Sequence, residues 1–207
     1  MKSKLKKCIL MGASLFIIGI HNVQGDAESV DNSTTLIGVG FGEVADLGSL
    51  AIEWSPSELD FGKENNPLEK EFAEISGNNK YVVVNDDRVL ANNWQLTLQL
   101  SYMQSESKTH AMASLMFESA IRGYQGDSNP EEDESAIIES DGQTANLESS
   151  SFILHSGSPA IPLLTEEGDF KGKTVLEMSN VKINMYSVIM SETQYEGMLT
   201  WSLEDTV

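Results

Sequence analysis

The side chains able to carry out chemistry are plentiful in this chain, yet their spacing holds few chemical signatures. Its three histidines, His21, His110 and His155, stand in unrelated contexts, with no His-x-x-x-His pair. A catalytic zinc site takes three protein ligands, so only an unusual set of histidine and carboxylate would serve. The single cysteine, Cys8, excludes an intramolecular disulfide framework and every multi-cysteine metal site. Serines are many, and none sits in a Gly-x-Ser-x-Gly elbow. Gly38-Val-Gly-Phe-Gly42 has the glycine density of a phosphate loop without its spacing. Carboxylates number 32 in 207 residues, so a pair suited to glycoside hydrolysis says little until its separation is known. Trp54, Trp94 and Trp201 all fall on apolar faces of alternating segments rather than in a stacking cleft. The expectation is a protein that binds and is not an enzyme.

Two polar clusters stand out. Asp127-Ser-Asn-Pro-Glu-Glu-Asp-Glu134 packs like charges densely enough to repel, which describes a solvated surface loop. The sharper reading is a calcium loop with Asp127, Asn129 and Glu131 as oxygen ligands, although the central glycine and terminal glutamate of the EF-hand are absent. No other cofactor is expected. Asp86-Asp-Arg88 ends an apolar run just before Trp94. Asp87 and Arg88 there offer a polar clamp through charge-assisted hydrogen bonds, and an exposed turn is the plainer alternative.

The elements that must position these residues are short and mostly extended. Trp94, Leu96, Leu98, Leu100 and Tyr102 alternate with Gln95, Thr97, Gln99 and Ser101, the pattern of a strand with one apolar face. Tyr195, Gly197, Leu199, Trp201 and Leu203 repeat it, as do Val181, Ile183 and Met185. Leu50, Ile52 and Trp54 share a face in the same way, and Pro56 closes that strand. Tyr81–Val84 and Ser151–His155 read as further strands. Ala111–Arg122 has helical propensity, but Leu115 and Phe117 fit a strand about as well. Frequent breakers and no βαβ rhythm predict an all-β fold: β-sandwich-like antiparallel sheets with long loops and little helix.

Charge and the N-terminus define the compartment. With 13 Lys and Arg against 32 Asp and Glu, the formal charge is −19. Nucleic acid is excluded as a partner, because phosphate neutralisation needs concentrated basic residues. Lys2, Lys4, Lys6 and Lys7 precede an apolar run from Cys8 to Ile20, too short for a spanning helix. Val23-Gln-Gly25 then supplies a cleavage pattern, so residues 1–25 read as a secretory signal peptide. Its removal takes those four lysines and Cys8 and leaves every acidic residue, with no membrane insertion afterwards. Residues 26–48 read as a flexible lead-in whose run Thr35–Phe41 supplies a first strand, and 49–207 as the folded domain, held by a packed core without disulfides.

The two Trp-x-Leu units, Trp94-Gln-Leu96 and Trp201-Ser-Leu203, now count together. With Gly48-Ser-Leu50, Leu59-Asp-Phe-Gly62, Asp87-Arg88 before the first tryptophan and Glu204-Asp205 after the second, the chain resembles the WxL domain over about residues 36–207. It departs from the pattern at Val89-Leu90, where glycine often follows the arginine, and at its ending Asp205-Thr-Val207. The resemblance implies a secreted protein of Gram-positive bacteria, held non-covalently at the cell wall, with peptidoglycan as ligand. It also implies a multi-protein surface complex that includes a WxL-interacting surface protein and sometimes a sortase-anchored one. The alternative is an adhesin-type protein–protein interaction module that meets a host matrix protein and is held at the wall by a WxL-interacting partner rather than by direct glycan binding. So little precedes the resembling region that the reading is of a minimal member. On either account Trp94, Leu96, Trp201 and Leu203 are the signature residues. They serve as core packing, or the two indoles line a groove and stack on sugar rings.

Overall fold

The computed structural model describes residues 28–34, 48–66, 68–89, 93–139, 145–168, 170–186 and 194–206. Residues 1–25, read above as a signal peptide, and the run Thr35–Phe41 lie outside them. Among the described residues the chain forms β1 (Glu28–Thr34), β2 (Leu50–Trp54), β3 (Glu71–Ala73), β4 (Lys80–Asp86), β5 (Asn93–Leu100), β6 (Met103–Ser105), β7 (His110–Ala111) and β8 (Ala113–Tyr124). A 3-10 turn, Glu134–Ala136, precedes β9 (Ile137–Glu139), β10 (Asn146–Leu147), β11 (Ser151–His155), β12 (Ile161–Glu166), β13 (Gly172–Met185), β14 (Tyr195–Glu196) and β15 (Leu199–Thr206). No described helix is long and apolar enough to cross a membrane.

These strands form two main antiparallel sheets. One runs β1-β15-β5-β12-β10, the other β11-β8-β13-β4-β2, and β14-β6-β7 make a small third sheet. Period-two alternation turns one apolar face of each large sheet onto a shared core, and the second sheet buries a smaller apolar cluster of Tyr81, Val83, Tyr124 and Val175 on its other face. Leu96, Leu98, Trp201 and Leu203 from one sheet meet Val82, Val84, Leu115, Leu176 and Met178 from the other, all of them buried. This is the all-β sandwich expected from the sequence. The Ala111–Arg122 region is extended: β8 pairs with β13 on one side and β11 on the other, because Leu115 and Phe117 both point into the core.

Three local readings need correction. Trp54 does not share a face with Leu50 and Ile52. The register opposes Ile52 to Val84 and Trp54 to Val83, a one-residue bulge at Glu53. Since side chains alternate, one extra residue sends Trp54 to the outer face, beside Val83 and Tyr124. Strand β5 stops at Leu100, so Tyr102 stands half exposed outside the apolar row. Tyr195 belongs to β14, paired with β6, and not to the strand of Trp201. In the lead-in, the strand that pairs with β15 is Glu28–Thr34.

One glycine is dictated by close approach. Gly48 has φ of +79°, and a Cβ there would stand 1.9 Å from the Asp87 carbonyl oxygen. The contact lies where Asp87 donates its backbone N–H to Ser49 at 2.9 Å, closing the β2–β4 ladder. Gly48→Ala combines a strained φ with a backbone clash. Its melting temperature should fall by at least about 2–4 °C, the shift for roughly 1 kcal/mol in a chain of this size; an unchanged melt would refute that account of the turn.

Candidate functional site

The two signature segments are partners. β15 lies antiparallel to β5, with Trp201 opposite Leu98, Leu203 opposite Leu96 and Asp205 opposite Trp94. β12 flanks β5 on its other side, placing Leu164 across from Leu96. Trp94 is 1% exposed and Trp201 0%, so neither indole has a face open to a ligand. Leu96 and Leu203 are equally buried. The Trp-x-Leu spacing is thus the i, i+2 repeat that sets a large and a medium side chain on one strand face.

An ion cluster built around the buried Asp86 latches this sheet to the other. Arg88, just past β4, donates from Nε to Asp86 Oδ1 at 2.9 Å and from Nη2 to Asp86 Oδ2 at 2.8 Å. Its Nη1 lies 3.0 Å from Asp205 Oδ2 on β15. Asp86 is itself buried, and its hydrogen bonds raise the arginine's pKa further against the opposing effect of burial. Asp87 faces elsewhere, accepting from Asn85 Nδ2 at 2.9 Å. Arg88 therefore clamps through Asp86 and Asp205. Asp205, two residues beyond Leu203, is the member that a local reading of Asp86-Asp-Arg88 misses; its position at the end of the second motif was the available signal.

The acidic segment folds back over the outer face of the second sheet. Its three oxygen-bearing candidates do not converge. Asp127 meets Lys173 at 3.0 Å, Asn129 Oδ1 accepts the backbone N–H of Glu131, and Glu131 lies 3.8 Å from Lys80. No cluster of three or more His, Cys, Asp or Glu suited to a metal occurs among the described residues. Burial pushes the Glu131 carboxyl up, Lys80 pulls it back in part, and Glu74 adds to the rise. The segment reads as a loop pinned by lysines.

Under that loop lies a cleft of about 510 Å³ lined by Glu53, Trp54, Tyr124, Asp127, Asn129 and Lys173. Lys173 Nζ reaches Glu53 at 3.0 Å, Asp127 at 3.0 Å and the Gly126 carbonyl at 2.9 Å, and stands 5.7 Å from the Tyr124 ring centroid. Burial opposes its charge, and the bonds to Glu53 and Asp127 outweigh this and hold its pKa above the usual lysine value.

The end of the molecule near β7 and β11 is different. Both His110 and His155 come to it: His110 stacks on Tyr102 at 6.0 Å, and His155 Nδ1 meets Ser114 Oγ, which also bonds Tyr186. Tyr102, Met112, Ile153 and Tyr186 are exposed there.

Residues 42–206 match a family model described as WxL domain, surface cell wall-binding. No curated protein matches the chain.

Proposed function

The chain belongs to the WxL family of surface cell wall-binding domains, and from that premise we propose that it is an exported, non-catalytic protein that attaches non-covalently to peptidoglycan. The observation that carries the choice of ligand is the state of its cations. Of the nine basic residues past position 25, Lys80, Arg88, Arg122, Lys173 and Lys182 each already hold a carboxylate of the same chain, and the other four, Lys63, Lys70, Lys108 and Lys171, are spread along the sequence. On a chain of formal charge −19, anionic wall polymers find no basic patch to meet them and are repelled. Short-range hydrogen bonding to neutral glycan or peptide groups remains as the attachment chemistry.

The experiment is co-sedimentation of the protein with purified peptidoglycan stripped of anionic polymers. Retention on the stripped material, held or improved by moderate salt, is the expected result. Retention that needs the polymers, or that vanishes in 0.3 M salt (about a 6 Å screening length), would count against it.

A second reading is favoured by the exposed Tyr102, Met112, Ile153 and Tyr186 beside the edge strand β11. Such a group suits a protein partner better than a glycan. On that reading a WxL-interacting surface protein holds the module at the wall within a larger complex. Adding native wall extract to the sedimentation assay separates the two, since only partner-held protein needs the extract.

A further inference from the structure

We propose that the cleft between Trp54 and the acidic loop binds a neutral sugar unit, its ring laid on the Trp54 indole and its hydroxyls donated to Glu53 and Asp127. This rests on the peptidoglycan reading for its ligand class and names the surface that would do the binding.

The motif tryptophans are sealed in the core, whereas the bulge at Glu53 turns Trp54 outward, where it remains partly exposed and lines the cleft. An alternating strand without the bulge would have put this indole in the core with Ile52. The cleft, at about 510 Å³, falls within the roughly 300–1,000 Å³ of small-molecule sites.

An ammonium has three N–H bonds to give, and those of Lys173 meet three oxygens of its own chain, from Glu53, Asp127 and Gly126. No donor of that lysine is left to draw in an anion, and the surrounding carboxylates repel one. A free cation gains little, since the ammonium already occupies the space between the two carboxylates. What the cleft still offers is an aromatic wall and carboxylate lone pairs held in place by Lys173. A sugar presents the matching pair of surfaces, C–H bonds on its ring face and hydroxyl donors on its rim. Glu53 is further fixed by Asn85 Nδ2 at 2.8 Å, so the acceptor is oriented before the ligand arrives.

Calorimetric titration with chitotetraose, a neutral N-acetylated oligosaccharide, tests the assignment on the protein and its Trp54→Ala, Trp54→Phe and Glu53→Gln variants. Saturable binding is expected, weakened about tenfold or more by Trp54→Ala and within about threefold of the original in Trp54→Phe, which keeps an aromatic face. Absence of binding, or equal affinity in Trp54→Ala, overturns the proposal. If Trp54→Ala also lowers the melting temperature, Glu53→Gln decides. It keeps the side-chain shape and removes a charged acceptor, so a loss of about threefold or more supports the site and an unchanged affinity overturns it. Sedimentation with stripped peptidoglycan, run alongside, keeps the two claims apart. Retention without a Trp54-dependent response to chitotetraose defeats the cleft and leaves the wall reading standing. A Trp54-dependent response without retention defeats the wall reading alone.

Discussion

Trp94→Ala and Trp201→Ala should each cost about 3–5 kcal/mol, the toll of removing a fully buried aromatic ring and leaving a cavity. Domains of this kind are stable by only about 5–15 kcal/mol, so either change removes a large part of the total or unfolds the chain. The reason is geometric. Trp201 and Leu98 oppose one another on β15 and β5, as do Leu203 and Leu96, and these four side chains face the second sheet. A hole at either indole therefore loosens both sheets at once. Chemical denaturation should show the loss, and peptidoglycan retention should fall in step with the folded fraction. A variant that melts like the original yet no longer binds would show that an indole reaches the ligand.

The second large effect belongs to Arg88. Removing one partner of a buried ion pair leaves the other charged and desolvated, at a cost of about 3–5 kcal/mol. Arg88→Ala does this to Asp86, which is 1% exposed, and also unlatches Asp205 on the opposite sheet. Arg88→Lys keeps the charge and loses the two-pronged grip on Asp86, so it should fall between the original and the alanine variant. Adding Asp86→Asn to Arg88→Ala removes the stranded charge and should recover part of the loss. Equal stability of Arg88→Ala and the original in urea would mean that the latch does no holding.

What the sequence disclosed follows from the range of each signal. Alternation is a property of neighbours along the chain, so β5 and β15 are visible from Trp94–Leu100 and Leu199–Leu203 alone. Their pairing with each other is a long-range fact, and only the recurrence of Trp-x-Leu hinted at it. The face of Trp54 is not legible in the sequence because a bulge is one residue of extra length, and the run Leu-Ala-Ile-Glu-Trp looks the same with it or without it. The clamp shows a similar limit. Asp86 and Asp87 are equivalent as letters, but strand β4 turns Asp86 inward toward Arg88 and leaves Asp87 beside Asn85. The acidic segment's role depended on Lys80 and Lys173, more than forty positions away in each direction, and so was beyond any local reading.

Native-state hydrogen exchange across the β5–β15 ladder tests the whole account most directly, because everything above requires those two strands to be neighbours in the centre of one sheet. The amides hydrogen-bonded between Trp94–Leu100 and Leu199–Glu204 should be among the slowest in the protein and should open together, with the free energy of global unfolding. If the Leu199–Glu204 amides exchange as freely as a terminal tail while those of Trp94–Leu100 stay protected, the two Trp-x-Leu segments do not share a core.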